Sequence, residues 1–263
     1  MQALTIVKIG GNIIDEDEKL FSFLNDFAVI PGAKMLVHGG GKMATRVAEA
    51  LQIPQQVLDG RRITDMATLK VVTMVYAGYI NKNIVALLQS VGCNALGLSG
   101  ADANVIQSHK REDTVTGVDY GFAGDVDVVN ILWIQSMLEQ GTCLVFSPIT
   151  HDGKGLLLNT NADSIAQELA TSLSSLYKVS LIYCFEKRGV LSNAADDHSV
   201  ISTINSTDFL QLKKDKIVAD GMLPKLQNAF TALEAGVSVV TIGAANDLPL
   251  LLQQKAGTSI VHE

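Results

Sequence analysis

The chain has 263 residues, a length that fits one large domain or two fused lobes. Hydrophobic residues make up 48% of it and aromatic residues 5%, which is typical of an α/β protein with buried parallel strands and excludes a disordered chain. The formal net charge is −7 and no long run of Lys or Arg occurs, so nucleic acid is not an expected partner.

The expected location is the cytoplasm. The three cysteines, Cys93, Cys143 and Cys184, are far apart in apolar surroundings, which indicates reduced thiols. The first apolar run contains Lys8 and leads into glycines, unlike a secretory signal peptide. We find no apolar stretch of the ~20 residues that a membrane span needs, so a membrane partner is not expected either.

In chain order, the first elements are strand, glycine loop and helix, twice over. Residues 4–9 predict a strand, residues 10 and 11 a glycine loop, and residues 15–25 a helix. Residues 33–37 predict a second strand, which leads through three glycines into a helix over residues 43–51. Residues 56–64 predict a hairpin around Asp59-Gly60, a dipeptide that favours two-residue turns.

The remaining elements continue this alternation. Helices are predicted over 67–91 and 164–172, a loop over 120–124, and strands over 94–98, 105–106, 142–146, 180–185 and 237–242. Alternating strands and helices predict an open, mostly parallel α/β sheet with helices on both faces, which binds ligands at the carboxyl ends of its strands. The polar residues 172–178 suggest a boundary between two lobes, 1–175 and 176–263.

The two glycine loops suit a phosphate, because glycine lets backbone N–H groups approach an anion. Gly10-Gly11 alone would equally fit an ordinary tight turn. Gly39, Gly41 and Ala44 also match the dinucleotide pattern G-x-G-x-x-A, but the acidic residue expected ~20 positions later would fall in or beside the hairpin. A P-loop is excluded, since Met43 stands where Ser or Thr is required.

Four charged residues are candidates for function, and each has an ordinary structural alternative. Lys8 lies inside an apolar strand, where its tip either meets an anion or reaches solvent. Asp163 could instead close a capping box with Thr160. Lys225, near the start of a predicted helix, and Arg62, on the hairpin, could both be surface charges.

Taken together, five motifs resemble one family, the N-acetylglutamate kinases of the amino-acid kinase fold. The resemblance covers the whole chain and rests on Lys8-Ile9-Gly10-Gly11, Val37-His38-Gly39-Gly40-Gly41, Gly60-Arg61-Arg62-Ile63-Thr64, Asn159-Thr160-Asn161-Ala162-Asp163 and Asp220-Gly221-Met222-Leu223-Pro224-Lys225. It implies an enzyme that transfers the γ-phosphoryl group of ATP to the side-chain carboxylate of N-acetyl-L-glutamate in arginine biosynthesis.

The resemblance also implies roles for individual residues. Lys8 and Lys225 would approach the transferring phosphoryl group from either side, with Asp163 between them. Fixed cations can supply most of the catalysis, because phosphoryl transfer needs little covalent work from the protein. The implied ATP-binding residues are Gly10, Gly11, Gly189 and Lys225, and the implied substrate-binding residues are Gly40, Gly41, Arg62 and Asn159. Arginine suits a carboxylate because its fork binds both oxygens.

The implied cofactors are ATP and Mg²⁺, the Mg²⁺ carried by the nucleotide phosphates, since the sequence has no compact carboxylate cluster to hold it. Residues 1–175 would bind the acylglutamate and mediate dimerisation, and residues 176–263 would bind ATP. Because the sequence starts close to its first strand, without the N-terminal extension of arginine-inhibited relatives, we expect an arginine-insensitive homodimer.

Two departures from the family pattern leave alternatives open. Glu186 stands three residues before Gly189 where the family usually has Asp, so the adenine-side contacts are not defined. Arg61 replaces a more apolar residue beside Arg62; neighbouring strand residues face opposite ways, so Arg61 is expected to face away from substrate. A bulge would let both arginines converge and would favour N-succinyl-L-glutamate. A catalytically silent amino-acid sensor is the alternative from another class.

Overall fold

The computed structural model describes residues 1–58, 61–113, 117–193, 195–215, 217–218 and 222–262. The strands in these ranges are β1 Gln2–Ile9, β2 Ala33–His38, β3 Gln56–Leu58, β4 Arg61–Ile63, β5 Ala95–Leu98, β6 Ile106–Lys110, β7 Ala123–Val129, β8 Cys143–Phe146, β9 Ile149–His151, β10 Leu157–Thr160, β11 Tyr177–Phe185, β12 Thr203–Ile204, β13 Val239–Ala244 and β14 Thr258–Ile260.

The helices alternate with these strands. They are α1 Gly11–Ile14, α2 Asp17–Ala28, α3 Gly41–Ala50, α4 Met66–Thr73, α5 Asn81–Ser90, α6 Ile131–Glu139, α7 Ala162–Leu173, α8 Ser206–Lys214, α9 Met222–Glu234 and α10 Leu248–Leu252. A π-helical segment, Met74–Ile80, joins α4 to α5, and short 3₁₀ turns span Asp102–Asn104 and Ala245–Asp247.

Eight strands form the central sheet, in the order β12-β14-β13-β11-β1-β2-β8-β5. All neighbouring pairs are parallel except β13 and β14. The strands β6, β7, β9 and β10 close into a small barrel beside the sheet, and β3 and β4 form a hairpin. The prediction of a mostly parallel α/β sheet is therefore confirmed.

Two apolar layers cover the faces of the sheet, because successive strand residues point to opposite sides. Ile6 of β1 belongs to a core that includes buried residues of α6, α7 and α9. Val7, the next residue, belongs to the opposite core, which includes buried residues of α1, α2, α3, α4, α5 and α10. This gives three layers, and it leaves the carboxyl ends of β1 and β2 free to build a site.

The small barrel is the main part of the fold that the sequence did not predict. Residues 120–124 were expected to form a loop, but β7 begins at Ala123. Its segment Ala-Gly-Asp-Val-Asp-Val-Val contains Gly and Asp, which are depleted in strands, and this masked the alternation of apolar and polar residues. The hairpin prediction is confirmed by β3 and β4, whereas its proposed turn at Asp59-Gly60 lies outside the described residues.

One helical segment of the described chain, Met66–Ser90, is long and apolar enough by length and composition to cross a membrane. The expectation that no apolar stretch reaches that length is therefore wrong for this segment. Val71, Val72, Ile80 and Ile84 of the segment are buried in one of the two cores. It is accordingly a core helix of this fold.

Candidate active site

Both glycine loops lie at the carboxyl ends of adjacent parallel strands, β1 and β2. The N–H of Gly39 donates to the carbonyl of Ile9, 3.1 Å away, which ties the second loop to the first strand. A Cβ built on Gly11 would lie 3.8 Å from the backbone N of Gly41 and 3.9 Å from that of Lys42. The two loops therefore approach each other, with the amino end of α3 beside the turn after β1.

Gly40 is a position that only glycine fits. Its φ is +152°, a conformation that residues with a side chain rarely adopt. A Cβ there would also collide with Ile80 and with the ring of Tyr76. The second glycine loop thus packs directly on the π-helical segment, which fixes its path.

A buried histidine supports the same loop. One ring nitrogen of His38, Nδ1, lies 2.8 Å from the carbonyl oxygen of Gly39, and the other, Nε2, lies 3.1 Å from Nδ2 of Asn81. Burial lowers the pKa of His38 to about 4, so the ring is neutral at pH 7. A neutral ring that donates from Nδ1 and accepts at Nε2 satisfies both contacts. His38 therefore holds the glycine loop and carries no charge to the cleft.

A nearly buried carboxylate bridges two lysines beside these loops. Oδ1 of Asp163 lies 2.7 Å from Nζ of Lys8, and Oδ2 lies 3.2 Å from Nζ of Lys225. Burial raises the pKa of Asp163, but the two lysines outweigh burial and bring it to about 2. The carboxylate is thus ionised at pH 7 and sets the distance between two ammonium groups drawn from β1 and α9.

Asp163 does not cap its own helix through its side chain. The cap of α7 is Asn161, whose Oδ1 accepts from the N–H groups of Asp163 and Ser164 at 2.7 and 3.3 Å. Thr160 pairs instead with Thr150, at 2.8 Å between the hydroxyl oxygens. The capping-box interpretation of Thr160 and Asp163 is therefore wrong, and the Asp163 carboxylate is left to the two lysines.

Arg62 reaches from β4 to the start of α3. Its Nη2 donates to the carbonyl of Gly41 at 3.0 Å and to Oγ1 of Thr45 at 2.9 Å, and its Nη1 donates to Oε1 of Gln55. The guanidinium is therefore held in one orientation beside the second glycine loop. It is not the freely solvated surface charge that was the alternative.

A cavity of about 290 Å³ opens in front of Arg62. Its lining residues are Gly39, Gly40, Gly41, Val57, Arg61, Arg62, Tyr76, Ala123, Pro148, Asn159, Thr160, Asn161 and Ala162. Asn159 is oriented by Thr64, whose hydroxyl accepts from Nδ2 of Asn159 at 3.0 Å. The four residues expected to bind substrate, Gly40, Gly41, Arg62 and Asn159, thus line one cavity.

A second cavity, of about 340 Å³, adjoins the first at Gly41. It is lined by Lys8, Gly10, Gly11, Asn12, Ile13, Gly41, Lys42, Phe185, Glu186 and Lys225. Lys42 and Glu186 face each other across it, with 4.0 Å between Nζ and Oε1. The described residues contain no group of three or more His, Cys, Asp or Glu side chains that could hold a metal ion.

Two residues are placed differently from the rest of the predicted set. Arg61 lines the same cavity as Arg62, so the expectation that it faces away is wrong. Strand β4, which carries Arg61, is only three residues long. A neighbouring barrel residue, Asp125, lies 3.8 Å from the Arg61 guanidinium. Gly189 lies outside both cavities, and a Cβ there would press on Val200 and Thr258. That close packing explains why residue 189 is glycine, and its role in ATP binding stays a prediction.

Sequence reasoning missed the residues that hold the site. Thr45 and Gln55 orient Arg62, and the phenol of Tyr76 is buried beside the same guanidinium. Tyr76 gave no signal, because an aromatic residue in an apolar helix is typical of a core. Thr64 lies within one of the five motifs and could have been found there. Gly60, Asp220 and Gly221 of the motifs lie outside the described residues.

Two lysines fixed by one carboxylate, next to glycine loops and an arginine-lined cavity, define a phosphotransferase for a small carboxylate. The amino acid kinase family model matches residues 3–243, and the chain belongs to that family. It is 53% identical to acetylglutamate kinase of Cytophaga hutchinsonii over 99% of both chains. It is 54% identical to acetylglutamate kinase of Phocaeicola vulgatus over 93% of this chain and 95% of that one. The crystal structure of smu.665 from Streptococcus mutans is similar, with TM-score 0.80, 26% identity and 98% coverage of both chains.

Proposed function

We propose that this chain phosphorylates the γ-carboxylate of N-acetyl-L-glutamate with ATP, forming N-acetylglutamyl 5-phosphate in arginine biosynthesis. The observation that carries the proposal is the bridge of Asp163 between Lys8 and Lys225, since both lysines line the second cavity, which adjoins the first at Gly41. The name of its relatives, acetylglutamate kinase, supports the same reaction. The cytoplasm is the location in keeping with this reaction.

The chemistry asks little of the protein beyond positive charge and position. An oxygen of the γ-carboxylate forms the new bond to phosphorus, the bond between the γ-phosphorus and the bridging oxygen breaks, and ADP leaves with the electron pair. A carboxylate nucleophile carries no proton to remove, so a general base is not required. Lys8 and Lys225 stabilise negative charge on the transferred group, and Asp163 keeps their ammonium groups at a fixed separation.

The arginine-lined cavity is assigned to the acylglutamate. Arg62 offers a guanidinium that is already oriented by Thr45, Gln55 and the carbonyl of Gly41, so little ordering is lost when it binds an α-carboxylate. Asn159 would contact the acylated amino-acid part of the substrate. In this arrangement the γ-carboxylate points past Gly40 and Gly41 toward Lys8.

The adjoining cavity is assigned to the phosphates of ATP. The glycine loop at Gly10 and Gly11, together with the backbone N–H groups at the start of α3, supplies donors without obstructing side chains. Mg²⁺ would come bound to the nucleotide phosphates and neutralise their charge. The division of labour between residues 1–175 and 176–263 is part of the proposal: Phe185, Glu186 and Lys225 come from the second half.

The catalytically silent sensor is less well supported. A binding module needs the carboxylate clamp at Arg62 but has no need for two fixed ammonium groups in the lining of a second cavity. A buried carboxylate is costly unless it is paired, and the charge of Asp163 is paired with the two lysines, Lys8 and Lys225.

The test is an ADP-release assay with a panel of acceptors. We expect ATP-dependent turnover with N-acetyl-L-glutamate and at least ~100-fold lower kcat/KM with glutamate, aspartate, carbamate and UMP. Glutamate, aspartate and carbamate leave part of the cavity unfilled, and UMP has no carboxylate for Arg62 to bind. Phosphorus NMR of the product should show an acyl phosphate. A protein that binds N-acetylglutamate without releasing ADP would be the sensor.

A homodimer is the assembly we propose. The strand β5 ends the central sheet and leaves one row of backbone groups without a neighbouring strand in the described chain. Large apolar side chains are exposed on this strand and on the helical segment Met66–Ser90: Met66, Met74, Tyr79 and Leu96. A second copy packed against β5 and this helical segment would cover exposed apolar residues of both.

Tyr79→Glu is therefore expected to convert the dimer to a monomer, because a charge buried between copies is costly. Light scattering on the eluting peak measures the mass directly. Leu210→Glu, at an exposed apolar residue of α8, is the matched control and should leave the mass unchanged. A hexameric mass, or inhibition by millimolar arginine, would contradict the expected arginine-insensitive dimer.

A further inference from the structure

The acylglutamate cavity holds one more cation than the two carboxylates of N-acetylglutamate can neutralise. That substrate has two carboxylates, and the proposed function assigns the γ-carboxylate to the lysines and the α-carboxylate to Arg62. Arg61 lines the same cavity and has no part in either contact. An acetyl group offers a guanidinium one neutral carbonyl oxygen, which accepts a hydrogen bond but supplies no counter-charge.

The protein itself neutralises Arg61 only in part. Its nearest carboxylate, Asp125, is shared with a second guanidinium, that of Arg111. Arg111 takes the close contact, donating from Nη1 to both oxygens of Asp125 at 3.0 and 2.8 Å. Arg61 stays 3.8 Å away, beyond hydrogen-bond distance, and the described residues supply no hydrogen bond to its guanidinium. Two cations therefore share one anion.

The surroundings make this excess charge unfavourable. The side chain of Arg61 is only 26% exposed. Burial and then repulsion from Arg111 lower the pKa of Arg61, against the attraction of Asp125. Nε of Arg111 is also buried without a hydrogen-bond partner in the part of the chain that the structure describes. A desolvated cation with incomplete partners gains most from an anion that arrives with the substrate.

We propose that the acyl pocket selects an N-acyl group that ends in its own carboxylate, of which N-succinyl is the four-carbon example, with Arg61 as the residue that recognises it. The inference rests on the proposed function and deepens it by naming the acyl class. Arg61 and Arg62 then bind two different carboxylates of one substrate. The pairing with Asp125 keeps the Arg61 guanidinium near the cavity when no such group is present.

The experiment compares succinyl with butyryl, two four-carbon acyl groups of which only succinyl ends in a carboxylate, and includes the shorter acetyl group. The steady-state kcat/KM is measured for N-succinyl-, N-butyryl- and N-acetyl-L-glutamate, in the wild-type enzyme, in Arg61→Leu and in Arg46→Leu. Arg46 is the matched control, an exposed arginine of α3 that pairs with Asp15 outside the acyl cavity. The wild-type ratio of succinyl to butyryl substrate is expected to exceed about tenfold and to fall close to one in Arg61→Leu. Arg46→Leu should keep the wild-type ratio.

The outcomes separate this inference from the proposed function. Turnover of all three substrates without a preference for succinyl, or a preference that survives Arg61→Leu, overturns the acyl inference and leaves the kinase intact. Absence of turnover with every acylglutamate overturns the proposed function instead. Because the wild-type ratio is itself decisive, the test does not depend on Arg61→Leu being stable. Raising the salt concentration should also lower the wild-type ratio, as for any recognition by charge.

Discussion

Lys8→Met and Lys225→Ala are each expected to lower kcat by about two to three orders of magnitude while changing KM for both substrates much less. Each removes a cation that faces the phosphate cavity and is held by Asp163. Their contacts strengthen as charge develops on the transferring group, so the loss falls on the transition state. Methionine at residue 8 keeps most of the buried stem of Lys8, which is only 8% exposed. Initial rates over a grid of ATP and N-acetylglutamate concentrations separate kcat from KM.

Lys178→Ala is the control for these variants, because Lys178 is an exposed lysine near the amino end of β11, far along the strand from Phe185. It should keep wild-type kinetics. Thermal melting of each variant shows whether the protein remains folded. A folded Lys8 or Lys225 variant with near-wild-type kcat would refute the role of that lysine, and an effect confined to KM would make it a ground-state binding residue.

The sequence predicted those strands whose local residue pattern matches the secondary structure that they adopt in the fold. Residues 4–9 and 33–37 are short apolar runs ended by glycines, and they form β1 and β2, adjacent and parallel. Because parallel strands present their carboxyl ends at one edge, the amino-acid sequence alone is enough to place the two glycine loops together. The motif that contains Asp163 places a third set of site residues beside the two glycine loops.

The sequence failed where tertiary contacts override local rules. The barrel strand β7 has an unfavourable composition and is stabilised by pairing with β6, of which the sequence predicted only the start, and with β10, which is distant along the chain. Because neighbouring residues of a strand face opposite sides, Arg61 was predicted to face away from substrate. Strand β4 is only three residues long, and the Arg61 side chain instead lies near Asp125 and lines the cavity. The supports of Arg62, such as Gln55 and Tyr76, come from segments that carry no recognisable signal.

Asp163→Asn tests the centre of the site. The amide has nearly the shape of the carboxylate but no charge, so Lys8 and Lys225 lose the anion that fixes them and repel each other. We expect kcat to fall at least about 100-fold. Stability should fall as well, because the nearly buried Lys8 is left without a counter-charge. Asp17→Asn, at an exposed residue of α2, is the matched control and should change neither quantity appreciably.

The pH dependence of unfolding tests whether the charge of Asp163 stabilises the fold. The Asp163 pKa falls from 3.8 to about 2 in the folded protein, so its contribution to stability is present above pH 3.8 and is lost as pH falls through 2. Its size is on the order of 2 kcal/mol. Urea unfolding between pH 7 and pH 2.5 should therefore show a gap between wild type and Asp163→Asn that is constant above about pH 4 and narrows below it. A fully active variant with no such gap would mean that the carboxylate charge does not organise the two lysines.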